Sequence, residues 1–225
     1  MNNSVKNTAR LFAAGLRALL ALTVVCGVLY PLAVTGIAQA AFHDKANGSE
    51  VSYDGKVVGS SLIGQRYDLP LEKGQETPEP DLKWFQPRPS NGLGTNSVNT
   101  QYKLLLSGAT NLAADNPELV KTVEEAQAAV VKDNSVHGYR VKPSQVPPDA
   151  VTSSGSGLDP DISPAYAALQ VHRVAEKNHL SVTQVRKLVE NHTEGRVAGF
   201  MGEPRVNVLQ LNIALRELVR ELSGS

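Results

Sequence analysis

The dominant hydrophobic feature is an unbroken run from Ala18 to Ala41, ALLALTVVCGVLYPLAVTGIAQAA, which holds no charged side chain. About 20 apolar residues cross the hydrocarbon of a bilayer as a helix. In lipid every backbone N–H and C=O must be satisfied within the segment, so a lone span is helical. Pro31 has no N–H and predicts a kink near the middle, eased by Gly27 one turn earlier. Ala38-Gln39-Ala40 has the small-x-small form of a cleavage site. A secretory h-region is only about 7–15 residues long, however, so the length predicts a retained anchor rather than a cleaved signal.

Beyond the run the period changes. Glu50 to Ile63, EVSYDGKVVGSSLI, has Asp54-Gly55 between two β-prone stretches and predicts a hairpin. A Pro- and Glu-rich loop follows from Asp68 to Asp81, then LKWFQPRPS. There Trp84-Phe85 supplies an apolar anchor, and Pro87 and Pro89 hold Arg88 extended. Asn91 to Gln101 reads as a loop, as does Asp133 to Ala150. Asn116-Pro117 opens a helix with Leu119, Val123, Ala126 and Val130 inward. Ser163-Pro164 caps a second, with Ala167, Ala168, Val171, Val174 and Ala175 on one face. Ser181 with Gln184 forms a capping box for a third, with Val182, Val185, Leu188, Val189 and His192 inward. Asn207 with Gln210 starts the last, where Val208, Leu211, Leu215, Leu218 and Leu222 form a stripe too short for a coiled coil. The pattern predicts one transmembrane helix (18–41) and one mixed α+β domain (42–225), with its strands early and its helices late.

Charge gives the span a direction. Residues 1–17 carry Lys6, Arg10 and Arg17 and no acid, whereas the far flank of His43, Asp44, Lys45 and Glu50 is mixed. Positive flanks stay in the cytoplasm, so the expected order is a cytoplasmic 1–17 and an extracytoplasmic domain. Over the whole chain 22 basic residues balance 22 acidic ones, which removes the basic excess that nucleic-acid binding calls for. The one cysteine, Cys26, lies within the apolar run, so the remainder can form no disulfide.

Standard chemistry finds little purchase. The only Gly-Lys, Gly55-Lys56, is followed by Val57 instead of the Ser or Thr of a phosphate loop. Gly92-x-Gly94 meets Ser97 where a dinucleotide fingerprint needs glycine. His172, His179 and His192 lack one-turn metal spacing, so no metal is assigned. Ser107 and Ser153, Ser154 and Ser156 sit in stretches superficially like those of hydrolases, but none has Gly two residues before and two after. Asp159 and His172 are available on paper to complete a triad, and tight turns account for the same residues. An anchored extracytoplasmic serine hydrolase, using Ser107 or Ser156, and a plain ligand-binding module remain the alternatives.

The ordered motifs resemble the KdpC family, the C subunit of a bacterial potassium-transporting P-type ATPase. They are GKVVGSSLIGQ (Gly55 to Gln65), WFQPRPS (Trp84 to Ser90) and LSGATNLAADNPEL (Leu106 to Leu119), then VTSSGSGLDPDISPAYAALQVHRVA (Val151 to Ala175) and GEPRVNVLQLNIAL (Gly202 to Leu215). With the basic N-terminus and single span they cover nearly the whole chain. The family more often has Tyr-Phe at Trp84-Phe85 and Gly-Gly-Ser at Gly108-Ala109-Thr110, which puts a glycine-specific role at Ala109 in doubt.

The resemblance implies a non-catalytic subunit of the inner membrane. Its partners are a potassium-binding channel-like subunit, an ATP-hydrolysing subunit and a small one-span subunit. It also implies a catalytic chaperone that raises the ATP affinity of the hydrolysing subunit. ATP enters by resemblance only, since no motif binds a cofactor, and a cytosolic nucleotide conflicts with an exported domain. The charge pattern favours the exported domain, and together with the resemblance it leads to the expectation that the domain sits over the potassium entrance and stabilises the assembly. Candidate partner contacts are Gly27 and Pro31 on the span, with small Thr23 and Thr35 beside them. In the domain they are the loops of Arg88, Pro89 and Ser90, of Ser107 and Asn111, and of Ser156, Gly157 and Asp159.

Overall fold

A computed structural model describes residues 2–70, 73–75, 78–90, 93–95, 105–107 and 112–223. They form two compact units, 1–50 and 51–225.

The first unit is helical. α1 (Asn2–Val24) runs into a π-helical turn, Val25–Leu29, and continues as α2 (Tyr30–Ala41), followed by the single turn α3 (His43–Ala46). Helix therefore begins well before the apolar run. The expected disturbance at Gly27 and Pro31 takes the form of that wide turn. The ring of Pro31 clashes with the carbonyl one α-turn back, at Gly27, and gives it no N–H. Widening the ladder lets the Tyr30 N–H reach the Val25 carbonyl instead, so the helix continues without a break. The helical stretch Ser4–Ala41 has a window of mean hydropathy 2.2 with none of it buried, and is long and apolar enough to cross a membrane.

In the second unit β1 (Glu50–Tyr53) and β2 (Lys56–Ser60) form the expected hairpin. Asp54 (φ 49°) and Gly55 (φ 73°) both take the left-handed region, as a two-residue type I′ turn requires. Cations of the last helix stack on it, with the Arg216 guanidinium 5.2 Å from the ring centres of both Tyr53 and Trp84. The stretch expected to loop from Asn91 to Gln101 instead contains β3 (Leu93–Thr95), antiparallel to β4 (Leu105–Ser107). Its Gly and Asn content reads as loop, and the three residues Leu-Gly-Thr are too few to show a strand alternation.

The helices start where their caps place them. α4 (Pro117–Asn134) opens with the Asn116 Oδ1 accepting from the Glu118 N–H at 2.8 Å. α5 (Pro164–Lys177) opens with Ser163 accepting from Tyr166 at 3.0 Å. α6 (Val182–Asn191) carries the reciprocal Ser181–Gln184 box. α7 (Val208–Ser223) begins with Asn207 accepting from Gln210 at 3.1 Å. Between them lie β5 (Asp161–Ile162), β6 (Thr193–Glu194) and β7 (Arg205–Asn207), an antiparallel sheet in the order β5-β7-β6. Strands therefore alternate with helices late in the chain, which corrects the strands-then-helices order. Single 3₁₀ turns, Pro143–Gln145 and Pro148–Ala150, punctuate the loop after α4.

α5 is the central helix, buried on nearly every side, with Ala167, Val171, Val174 and Ala175 inward as expected. Ala168 is exposed, and so is Leu222 at the frayed end of the α7 stripe, both against expectation. Of the remaining stripe residues Val208, Leu211 and Leu215 are buried in the same core as α5 and α6, while Leu218 is half-buried, so the stripe packs the domain rather than a coiled coil.

α5 also buries Gln170 and Arg173, and α7 buries Asn212. These three hold the segment from Leu82 to Gln86. Asn212 accepts from the Phe85 N–H and donates to the Phe85 carbonyl, both at 2.9 Å. Gln170 does the same for Gln86, at 2.7 Å and 3.0 Å. Arg173 donates to the carbonyls of Leu82 and of Trp84 (2.9 Å) and to Asn134 Oδ1 (2.9 Å). Burial pushes its guanidinium down to about 10, still charged at neutral pH. Between the two amide clamps the Phe85 ring is fully buried, worth about 1.5–3 kcal/mol.

Truncating Asn212 to Ala leaves the Phe85 N–H and C=O buried and unpaired, each costing about 1–3 kcal/mol. Thermal unfolding of the purified chain in detergent should show a fall of several degrees, larger than for Ala168→Ser on the exposed face.

Candidate partner-binding surface

The clamped segment continues as Pro87, Arg88, Pro89 and Ser90, and the clamp sets where these residues point. Arg88 NH1 lies 3.0 Å from Asp159 Oδ2, and its other nitrogens donate to the carbonyls of Thr152 and Ser153 at 3.4–3.5 Å. The Ser90 hydroxyl donates to the carbonyl of Gly157. The loop of Arg88, Pro89 and Ser90 and the loop of Ser156, Gly157 and Asp159, far apart in sequence, are therefore one surface. The expected residues have different jobs on it. Gly157 is buried and Ser156 is exposed, its Oγ accepting from the Leu158 N–H at 3.1 Å to fix the turn. Asp159 uses its second oxygen on the Asp161 N–H at 3.1 Å.

A third stretch, missed from the sequence, completes the surface. The Gly64 N–H donates to the Leu158 carbonyl at 2.8 Å. A β-carbon on Gly64 would fall 2.4 Å from the Asp159 carbonyl oxygen, so only glycine permits the approach. Ile63, Gly64, Gln65, Arg66, Pro87, Ser90 and Asp159 line an open cavity of about 360 Å³ there. Arg66 is turned aside by Asp68 at 3.1 Å. The legible signal was the glycine in SSLIGQ, which the hairpin reading left unused.

The other candidates lie on other elements or outside the described residues. Ser107 lies on β4, where only the backbone path is described, and Asn111 and Ala109 fall outside the described residues. Gly27 and Pro31 belong to the helical unit, Gly27 within the π turn and Pro31 just after it.

Three residues invoked for a hydrolase, Asp159, Ser156 and His172, each have another partner. Asp159 holds Arg88, Ser156 holds a turn, and the His172 ring stacks face to face on Tyr139 at 3.7 Å. Burial, and then the nearby Arg186, pull the His172 pKa below its usual value. Among the described residues no cluster of His, Cys, Asp and Glu is set to hold a metal ion. What the geometry offers is a surface of three stretches joined by hydrogen bonds and by the ion pair of Arg88 with Asp159.

The family model described as "K+-transporting ATPase, c chain" matches residues 12–217. The chain belongs to the KdpC family. It is 75% identical over 219 residues to a potassium-transporting ATPase KdpC subunit of Streptomyces avermitilis, covering 97% of this chain and 99% of that one. It is 69% identical to the subunit of Streptomyces coelicolor over the full length of both, and 45% identical over 197 residues to that of Paraburkholderia phytofirmans, 88% and 91% of the two chains. Membership in the KdpC family makes the chain an accessory subunit of a potassium-transporting ATPase rather than an enzyme in itself. The KdpC-like motifs quoted from the sequence include those that supply Gly64, Arg88, Ser90 and Asp159 to this surface, and Phe85 to the core beneath it.

Gly64→Ala should push the loop of Gly157 and Asp159 away from Arg88, at about 1–3 kcal/mol. A double-mutant cycle on Arg88→Ala and Asp159→Ala, read by thermal melting, should then show its coupling vanish in the Gly64→Ala background.

Proposed function

We propose that the chain is the single-span accessory subunit of an ATP-driven potassium-uptake complex, with its N-terminus in the cytoplasm and its domain on the extracytoplasmic face of the bacterial plasma membrane. There the domain stabilises the assembly of a potassium-binding channel-like subunit, an ATP-hydrolysing P-type subunit and a small one-span subunit, and stands over the potassium entrance. The observation that carries this reading is the charge asymmetry about one apolar helix. Lys6, Arg10 and Arg17 lie at its start without an acid, and a mixed flank follows its end. The Gly27–Pro31 segment supports a docking role for the span. Its π turn is a shaped irregularity that a partner helix reads by close packing.

The family's role of raising the ATP affinity of the hydrolysing subunit then works through assembly rather than through a nucleotide on this chain. The sequence has no phosphate loop, and Gly55-Lys56 is spent on a hairpin turn and the strand after it. This predicts no saturable binding of an ATP analogue to the purified chain at micromolar concentration.

Protease added to intact spheroplasts should digest the chain beyond His43 while a cytosolic marker survives. Full protection of the domain overturns the orientation.

A further inference from the structure

α7 carries Leu209, Asn212, Ile213 and Arg216 at the i, i+3, i+4, i+7 spacing that places them on one face. That face does not close on the β1–β2 hairpin. Between them lies a cavity of about 210 Å³, lined on the hairpin by Tyr53 and Val58 and on the following segment by Gln65, Tyr67 and Trp84. It shares only Gln65 with the cavity beside Gly64.

Two of the polar side chains on its wall have partners. Asn212 is held by Phe85 through both ends of its amide, and Gln65 Nε2 donates to Tyr67 Oη at 3.4 Å. The Tyr67 hydroxyl therefore accepts, and among the described residues its own proton has no acceptor. Burial raises its pKa above the ordinary value, which keeps it a donor at neutral pH. Arg216 has neither an ion pair nor a hydrogen bond among the described residues. What holds it is aromatic, since its guanidinium lies 5.2 Å from the ring centres of both Tyr53 and Trp84. Stacking on rings engages the plane of a guanidinium and leaves the N–H donors at its edge free.

The charge of the lining selects the ligand. Arg216 is its one charged residue, and no acid lines it. The cations beside it are already paired, Arg220 with Asp54 at 3.3 Å and Lys83 with Asp81 at 3.0 Å. One fixed guanidinium matches one negative charge, and its fork meets the two oxygens of a planar carboxylate. A phosphate monoester carries about −1.5 to −2 and exceeds that charge. The walls of Val58, Leu209 and Ile213 are apolar and suit a short hydrocarbon. The volume is below the roughly 300–1,000 Å³ of pockets that take drug-sized ligands, so the occupant is small. We propose that this cavity binds a small aliphatic monocarboxylate, with its carboxylate on Arg216 and the Tyr67 hydroxyl and its chain against Val58, Leu209 and Ile213. The bound acid bridges the β1–β2 hairpin and α7.

Trp84 is the one tryptophan of the chain and lines the cavity, so its emission reports occupancy. The purified full chain in a neutral detergent is titrated with sodium hexanoate against matched sodium chloride. A saturable change in emission is expected, with half-saturation at or below about 1 mM. Hexanol, which has the chain without the charge, and inorganic phosphate, which has charge without the chain, should give none. Arg216→Gln should weaken hexanoate by about tenfold or more, and Tyr67→Phe by about threefold or more. Arg220→Gln, whose side chain lies outside the lining, should bind as the wild type does. No saturable change with hexanoate, saturation by hexanol or phosphate at the same concentration, or wild-type affinity in Arg216→Gln each overturns the site. Equal weakening by Arg220→Gln does so too. If Arg216→Gln melts earlier than the wild type, Tyr67→Phe decides, because it leaves the stacked arginine in place; wild-type affinity there overturns the proposal.

Discussion

The domain depends on one constraint, that the backbone from Leu82 to Gln86 crosses the core without a strand beside it. Buried peptide groups need partners, and an unpaired one costs as much as a lost hydrogen bond. Here the partners are side chains. The carboxamides of Asn212 and Gln170 each offer one acceptor and two donors, and each matches the N–H and C=O of a single residue as a neighbouring strand would. Arg173 takes the carbonyls left over, and its charge strengthens those bonds. Such a network is favourable only when every member is satisfied. Among the described residues no buried side-chain nitrogen or oxygen lacks a partner.

From that clamp the rest follows outward. Phe85 is fixed in the core, so the next residues leave it in a set direction, with Pro87 and Pro89 limiting the choice. Arg88 and Ser90 then meet the loop that runs from Thr152 to Asp159, and Gly64 closes against the same loop from the other side. The ion pair of Arg88 and Asp159 is half-exposed and adds little stability by itself. Its value is geometric. It holds two loops in register and leaves a surface whose charges are already matched.

The same logic separates the two kinds of surface on the domain. The loop surface near Gly64 is polar and internally compensated. The cavity between the β1–β2 hairpin and α7 is lined by one charge, Arg216, and by no acid. The helical unit adds its own local solution. The turn ahead of Pro31 widens by one residue, with the Tyr30 N–H bonded to the Val25 carbonyl, and the helix runs on through the proline. Each case satisfies the backbone first and leaves side chains to face outward.

Local chemistry was legible in the sequence because it acts over a few residues. The caps at Asn116, Ser163, Ser181 and Asn207, the type I′ turn at Asp54-Gly55 and the long apolar helix all follow from neighbours within one turn. So do most inward positions of α4 to α7, since a helical period fixes a face. The ordered motifs carried the family. What the sequence did not show was pairing at a distance. β5, β6 and β7 are two or three residues each, too short for any alternation to register, and exist as a sheet only because α5 and α7 bring them together. β3 was masked by Gly and Asn. Gln170, Arg173 and Asn212 look like interruptions of apolar stripes until Phe85 and Gln86 are laid across them. Glycine at position 64 reads as a turn residue until the Asp159 carbonyl is seen where its β-carbon would be. The sequence by itself determined the first hairpin, the four helices of the domain, the long apolar run and the family, because these depend on near neighbours and on order. Only the tertiary structure decided which loops form one surface, because that depends on hydrogen bonds between residues far apart in the chain.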